Sequence, residues 1–502
     1  MQKTMTSKLR YILILLLGMV FMNSGAQNSQ VLYNMNVPQR HFLNPALTPT
    51  NSVYIGLPAI SGINLNINNN FMNFSDVFMK SKTTDSLISI LHPEYDVQDF
   101  IPKINDKNSI EPQVLIQLFG LGFRAGEDLY IFFDVNDRIE SNIVLPGDIM
   151  KLALLGNEQF MGDKIDLSSL RADVKYFREY GLGFSKDITD KLRIGVKGKL
   201  YSGVASAAIE NNSLGITVNS DYTHSIDADM MVNFSGPVTA YVNSDNTIDS
   251  ISFDSNKLDF ENVSEVINYL LKPENKGFGF DVGAEYSFSD KLRLSASFTD
   301  IGYIRWKRDI TSLRAKSSFV FSGLDLSDVY KRDITIDSLA AELLDSLKNS
   351  FSIDNTHNPF TTYMPFGVTI GGSYNITKGF SLGLLSYSRF VGKQLREALT
   401  VSANINLGNA FTTSIAYTAA NQRYDNLGAG LAFRAGWFQL YMLADRIPVT
   451  WNKFETKSNS FILPASWNTV HFRIGMNLAF GNKIKKKSDQ PMIINEPVIP
   501  EK

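Results

Sequence analysis

The chain contains no cysteine. Disulfides, a thiol nucleophile and a cysteine-ligated metal site are therefore excluded. Net charge is only −2 at pH 7 with histidine neutral, so the electrostatic footprint of a general nucleic-acid binder is missing and no nucleic-acid partner is expected. After the first residues there is no helix-length apolar run, and mean hydropathy is −0.08. A helical membrane protein is disfavoured on that ground. The five histidines, His41, His92, His224, His357 and His471, are scattered without metal-ligand spacing. No EF-hand pattern and no Gly-x-Ser-x-Gly elbow occur. Gly181-Leu182-Gly183 and Gly277-Phe278-Gly279 read as small residues in strands, not as phosphate loops, because neither opens a helix after a strand. His471 paired with a distant serine is a weaker reading than a plain polar lumen residue. The expectation is a protein that is not an enzyme, with no catalytic residue, no cofactor and no metal.

What is present is alternation. From Thr469 to Phe480 every second residue is apolar: Val470, Phe472, Ile474, Met476, Leu478 and Phe480. The intervening His471, Arg473, Gly475, Asn477 and Ala479 are small or polar. Successive strand side chains point to opposite faces, so one face is greasy and the other wet. The length suits the roughly 9–11 residues of a tilted membrane strand. Arginine at Ile474 should then cost about 2–4 kcal/mol near the midplane, whereas at Asn477, on the wet face, it should be mild.

The pattern recurs in hairpins. Tyr180–Ser185 leads through Lys186–Lys191 into a return strand with Leu192, Ile194, Val196 and Leu200 on one face and Arg193, Lys197, Lys199 and Tyr201 on the other. A second copy carries Phe278 to Phe288 against Gly279, Asp281, Gly283 and Glu285. It returns after Ser289-Asp290-Lys291 with Leu292, Leu294, Ala296 and Phe298 against Arg293, Ser295, Ser297 and Thr299. Arg193, Lys197, Lys199, Asp281, Glu285, Arg293, His471 and Arg473 are the lumen-facing candidates. The lipid-facing set is Val470, Phe472, Ile474, Met476, Leu478 and Phe480.

Short turns near 126–127, 186–191, 289–291, 377–379, 408–410 and 435–436 alternate with long stretches at 72–112, 143–173, 207–276, 309–362 and 448–467. The fold class is therefore all-β, a transmembrane antiparallel barrel spanning 53–480. Its first strand should run from about 53 to 71. Treating 207–276 as one outer excursion gives about fourteen strands, and a further membrane hairpin at 216–253 would give about sixteen. The polar residues of that stretch favour fourteen. The long stretches should be extracellular and partly helical, with helices near 84–91, 262–271 and 337–347.

The N-terminus reads as a secretory signal over 1–26: Lys3, Lys8 and Arg10, the apolar Tyr11–Met22, then Ser24-Gly25-Ala26 before Gln27. The last residues, 481–502, carry Lys483 and Lys485–Lys487 followed by prolines and read as a flexible periplasmic tail. Residues 27–52 hold Pro38, Pro45 and Pro49 and do not read as a strand. They should fold back into the lumen, where Arg193, Lys197, Glu285 and Arg473 could bond their backbone.

This segment contains Asn44-Pro45-Ala46 in the context Arg40–Leu47. A signal, an Asn-Pro-Ala segment and a long run of hairpins resemble the outer-membrane long-chain fatty-acid transporter superfamily. The aromatic hairpins, as in Ser297–Trp306, look closest to barrels of a sister group associated with type nine secretion and gliding. The resemblance implies an N-terminal hatch bearing Asn44, Pro45 and Ala46 in a fourteen-stranded barrel. It also implies hydrophobic compounds that bind inside and leave laterally through a gap in the wall. Large outer insertions and the tail depart from the transporters. Two readings follow: a plugged uptake channel for hydrophobic or other small solutes, or a non-transporting barrel on which secreted or surface proteins dock. The expected location is the outer membrane of a Gram-negative bacterium, with both mature termini periplasmic. The expected partners are outer-membrane lipid, the barrel-assembly machinery during biogenesis, and a hydrophobic small molecule or a surface or secreted protein.

Overall fold

In a computed structural model the described residues are 30–481, without 85, 91, 222, 243–247, 255, 260, 273, 322–352, 393, 421–422, 449–450, 456–459 and 465–467. The signal segment, the helix expected at 337–347 and the tail from 482 onward lie outside them.

Fourteen antiparallel strands close into one barrel. They are β1 (Val53–Gly56, resuming as Ile63–Asn69), β2 (Lys107–Ala125), β3 (Leu129–Pro146), β4 (Arg171–Asp187), β5 (Leu192–Val218), β6 (Asn275–Ser287) and β7 (Leu292–Trp306). There follow β8 (Phe360–Tyr363, resuming as Phe366–Asn375), β9 (Phe380–Val391), β10 (Gln394–Leu407), β11 (Phe411–Ala420), β12 (Arg423–Ala435), β13 (Phe438–Ile447) and β14 (Thr469–Phe480). Each pairs with the next in sequence, and β14 returns to β1. Closure leaves no strand edge, which is what a sheet surrounded by lipid requires.

One end of the barrel has only tight connections. Three of them share a device that their sequences spell out. The hydroxyls of Thr189, Ser289 and Thr377 accept from backbone N–H groups two and three residues on, satisfying the donors that a turn would otherwise strand. Gly126, Gly408 and Gly436 supply the positive φ that other turns at this end need. The outer face is apolar and bare: Leu182, Phe278, Ile370, Ile415 and Leu431 are exposed, and Phe184, Phe288, Phe433 and Trp437 ring the short-turn end. A continuous apolar surface with an aromatic border is the mark of a bilayer-facing wall.

Several sequence expectations need correction. The first strand is not continuous over 53–71. Pro58 has no N–H for a ladder and Ala59 has φ 60°, so residues 57–62 leave the strand. The wall stays stitched there: Ala59 N–H donates to the Gln117 carbonyl, Gln117 N–H to Gly62 and Met476 N–H to Ile60. The segment 84–91 is not a helix. The Ser81 hydroxyl accepts from the N–H groups of Thr83 and Thr84, and Leu87–Ser89 instead pairs with Phe78–Lys80. The helix at Val263–Leu271 does form, with Asn262 accepting from Glu265 N–H at its start.

The stretch 207–276 is neither a plain loop nor a second membrane hairpin. β5 runs on to Val218, and His224–Ser235 returns along it before pairing with Ile310–Phe321. These strands prolong the wall beyond the barrel. Residues 236–274 then form a hairpin (Val238–Val242 with Ile248–Phe253) and the helix Val263–Leu271, before the chain rejoins the barrel at Asn275. The stretch 309–362 likewise carries the strand Ile310–Phe321, and 448–467 carries a hairpin, Trp451–Glu455 with Ser460–Pro464.

Candidate functional site

Residues 30–51 lie inside the barrel. They form two short 3-10 turns, Val31–Asn34 and Pro38–Phe42, and almost all of them are buried. Their partners come from strands all round the wall: Ser185, Ser295, Ser297, Ser402, Gln439, Asp445 and Asn477. Only a segment within the lumen could meet them all. It starts at mid-height, where Asp445 accepts from the N–H groups of Gln30 and Val31, each at 2.8 Å. It leaves at the short-turn end, where the Thr50 hydroxyl meets Asn409 at 2.9 Å.

Asn44-Pro45-Ala46 has a built seat. The Asn44 side chain accepts from Ala46 N–H at 2.8 Å and donates to the carbonyls of Ala284 and Ala296, both at 3.3 Å. The turn that proline sets is thus fastened to β6 and β7. Gly195 and Gly283 face each other across β5 and β6. A Cβ on Gly283 would lie 2.0 Å from Asn44 Oδ1, and one on Gly195 would lie 2.2 Å from the Pro45 carbonyl carbon. Glycine here makes the notch that holds the motif. The same logic repeats elsewhere. Gly428 and Gly430 leave room for Val31 and Met35, Gly371 for Tyr33, and Gly383 for Asn34.

One wall of the lumen is ionic. Lys197 bonds Asp134 at 2.9 Å and Glu179 at 3.0 Å. Arg138 reaches Glu140, Glu179 and Asp300 at 2.7 to 2.8 Å. Lys199 bonds Asp281 at 2.7 Å and Asp300 at 2.6 Å, and Arg389 closes on Glu140 at 2.6 Å. These groups sit on β3 to β7 and on β9, so the ion pairs tie together strands that are not all neighbours in the wall. Four cations face five carboxylates here, and His41 of the N-terminal segment reaches Asp134 at 3.2 Å. Phe42 is placed between the Lys197 ammonium and the Arg473 guanidinium, 5.0 and 5.5 Å from its ring centre. On the long-loop side, a cavity of about 10 Å³ bordered by Glu111, Gln113, Glu140, Asn142 and Arg389 has room for one water.

The opposite wall carries an apolar patch beside polar groups such as Ser402, Gln439 and Asp445. Val31, Leu32, Tyr33, Met35, Val37, Leu43 and Leu47 pack on Leu385, Ala416, Ala432, Tyr441 and Leu443.

Of the residues singled out in the sequence, Lys197, Lys199, Asp281, His471 and Arg473 are buried in the lumen. Arg193, Glu285 and Arg293 lie lower, at the short-turn end. There Arg193 bonds Asp187 at 2.5 Å and Glu285 at 3.2 Å, and Arg293 is 3.8 Å from Glu285. Arg193, Lys197, Glu285 and Arg473 are not the backbone partners of the N-terminal segment. Arg193 is paired with Asp187 and Glu285, Lys197 with Asp134 and Glu179, and Arg473 donates to Asn64, while Asp445, Ser297 and Gln439 bond the backbone instead. Both ring nitrogens of His471 are engaged, Nδ1 at 3.1 Å from Asp445 and Nε2 at 2.9 Å from Asn64. The histidine thus orients the carboxylate that holds Gln30 and Val31. Phe472 and Phe480 are exposed and Val470, Ile474, Met476 and Leu478 half-exposed on the outer face. Asn477 is not on a wet face: it is fully buried, bonded to Gln39 and Gln439.

Sequence reasoning missed Asp134, Arg138, Glu140, Glu179, Asp300 and Arg389, the glycine notch and Asp445. A signal existed in β3, where Asp134, Asn136, Arg138 and Glu140 alternate with Phe133, Val135 and Ile139.

Comparison with known proteins gives a family. A model described as a family of unknown function (DUF5723) matches residues 45–445, and the chain belongs to that family. No curated protein matches it. Among solved structures the chain is similar to a Pseudomonas aeruginosa FadL homologue at 10% identity, covering 91% of this chain and 100% of that one, with a TM-score of 0.40. It is similar to the P. putida toluene transporter TodX at 9% identity, covering 92% and 96%, with a TM-score of 0.36. The CymD monoaromatic hydrocarbon channel is similar at 8% identity, covering 92% and 100%, with a TM-score of 0.33.

Proposed function

We propose that the chain is a plugged outer-membrane channel for the uptake of small solutes, hydrophobic ones included, with residues 27–52 as the plug. The observation that carries this reading is the occupancy of the lumen by residues 30–51, joined to β1 through the chain and otherwise held by side-chain contacts, with no cysteine to cross-link it. The two dissimilar walls suggest how the plug responds to a solute. An apolar solute finds apolar lining where Val31, Leu32 and Met35 now pack on Leu385 and Leu443. It would therefore compete with the plug itself for that wall, and binding and opening would be one event. In this reading the short-turn end and both mature termini face the periplasm and the long connections face outward. The solute enters past the polar side chains Glu111 and Arg389 on the long-loop side.

Deleting residues 28–50 tests it. The variant should assemble as a heat-modifiable barrel and conduct small solutes that the full chain excludes. An assembled deletion variant with unchanged permeability would overturn the proposal.

A docking platform is the second reading. It is favoured by β5, whose 27 residues far exceed the roughly 9–11 that cross a bilayer, so that its upper part stands proud of the membrane beside His224–Ser235 and Ile310–Phe321. Co-purification of a stable surface or secreted protein with an impermeable deletion variant would favour it over the channel.

A further inference from the structure

The insertion 236–274 sits on the outside of the barrel at one defined height. Tyr176 belongs to the outward row of β4 that carries Leu182 and Phe184 lower down. Opposite it, Val204 is an extra residue in β5, bulged next to Ala205. Leu258 and Tyr269 of the insertion bury Val204, with Tyr176, Val266 and Leu270 around them. The helix Val263–Leu271 is therefore laid against the outer flank of the wall. It is fixed there: the Arg308 guanidinium stacks 3.3 Å from the Tyr269 ring centre, and the Tyr269 hydroxyl donates to Asp309 at 3.1 Å.

The height follows from strand geometry. Val204 lies 12 residues beyond Leu192, the start of β5 (204 − 192). At about 3.3 Å per residue and a tilt of about 45°, that is roughly 28 Å above the short-turn end, close to the hydrocarbon thickness of a bilayer. The helix thus lies where acyl chains give way to headgroups.

Its unpartnered face suits that level. Val263, Ile267 and Leu271 are 68%, 49% and 54% exposed and form one stripe at i, i+4, i+8. Leu271 leads within four residues to Asn275 and so to the outward Phe278 and Phe280 of β6, both bare. The stripe is continuous with the lipid-facing wall. Lys276 and Arg305, and Lys272 with its exposed partner Glu274 at 3.2 Å, are exposed beside it; lysine and arginine are the residue types that keep their stems in the apolar layer and their charges among headgroups.

We propose that this helix is an interfacial anchor, with the Val263–Ile267–Leu271 stripe embedded in the lipid leaflet at the long-loop end and Lys272, Lys276 and Arg305 on headgroup phosphates. The anchor fixes the height and rotation of the barrel in the membrane on the side where β5 projects.

Because the chain has no cysteine, one introduced thiol reports one place. Ile267→Cys carrying an environment-sensitive fluorophore is placed in proteoliposomes of phosphatidylethanolamine and phosphatidylglycerol. Its emission should be blue-shifted and quenched several-fold more by shallow bromolipids than that of Asn268→Cys, while aqueous iodide quenches only the latter. Val263→Cys reports the same stripe from a position with almost no packing to lose. Iodide quenching at 263 and 267 equal to that at 268 would overturn the proposal. So would protection from both quenchers with concentration-dependent cross-linking, which would make the stripe a contact with a second copy.

Discussion

The two walls of the lumen hold the same segment by opposite means. On β3 to β7 the wall is ionic and pairs with itself, because Arg138, Lys197 and Lys199 find carboxylates on strands of the same wall. The N-terminal segment adds His41, Phe42 and the Asn44 turn to a lattice whose cations already have carboxylate partners. On β9 to β13 the wall presents an apolar patch, Leu385, Ala416, Ala432, Tyr441 and Leu443, beside the polar Ser402, Gln439 and Asp445. There the segment supplies the cover. The difference separates two jobs. The ionic wall ties strands together and, through the glycine notch, sets the register of the segment; the apolar wall supplies the driving force for seating it.

Substitution of one residue on each wall sharpens this division. Arg138→Ala takes one cation from each of Glu140, Glu179 and Asp300, leaves three cations to five carboxylates in a dry site, and should cost about 3–5 kcal/mol of barrel stability. The segment should stay seated, because Arg138 does not bond it. Glu179→Gln added to Arg138→Ala returns the cluster to an excess of one carboxylate, while Lys197 keeps Asp134, and should restore part of the loss. Leu443→Ala should cost about 2–5 kcal/mol and also loosen the segment. The checks are the urea midpoint of the heat-modifiable band and single-channel conductance. Conductance rising equally in both variants would erase the distinction between the walls.

Ile474→Arg and Asn477→Arg probe the two faces of β14. The first should cost about 2–4 kcal/mol near the membrane midplane through lipid exposure alone, with conductance unchanged. The second needs no lipid argument: Asn477 is bonded to Gln39, so an arginine there must push the segment aside, and open-state conductance should rise. An impermeable Asn477→Arg barrel would mean that the segment tolerates far more volume than its burial suggests.

Gly283→Val tests the notch. The added atoms overlap Asn44, and relief requires the motif to lift, at about 1–3 kcal/mol by the usual cost of overpacking. The barrel should assemble with the segment newly sensitive to protease at 40–47. Gly372→Val on β8, two strands away, where a Cβ meets only Leu294 and an Arg293 carbonyl at 3.2 and 3.6 Å, should leave it resistant.

Strand number and closure were legible because period-two alternation is imposed by lipid on one side, and lipid acts on every strand alike. The turn signals at Thr189, Ser289 and Thr377 were legible because they are local. The break in β1 was harder: Pro58 marks it, but alternation resumes at Ile63 and masks the interruption. The partners of the N-terminal segment were not legible. Seating Asn44 depends on Gly195, Gly283, Ala284 and Ala296, more than 150 residues away in the chain, and no local rule joins them. A lumen glycine looks like any weak strand position until something is found pressing on it. Asn477 shows the same limit: polarity told its face, but a filled lumen made that face dry.

The smallest effects ask whether the ionic side contributes single bonds as well as register. Ser295 and Ser297 stand in the same inward row of β7. Ser297 donates to the Leu43 carbonyl at 2.7 Å, and Ser295 shares a 2.7 Å bond with the Tyr33 hydroxyl. Each alanine variant should cost about 0.5–1.5 kcal/mol. The two should not be equal. Removing Ser297 strands a backbone carbonyl that cannot move without lifting Asn44 from its notch, whereas the Tyr33 hydroxyl can rotate toward another acceptor. Ser297→Ala should therefore lie at the upper end of that range. It should also combine less than additively with Asn44→Ala, since both loosen one turn. Ser295→Ala should add to Asn44→Ala in full. A double-mutant cycle on seating, read by hydrogen exchange at residues 31–47, decides between them. Additivity in both pairs would mean that the turn and the Leu43 carbonyl are held independently, and that the notch alone sets the register.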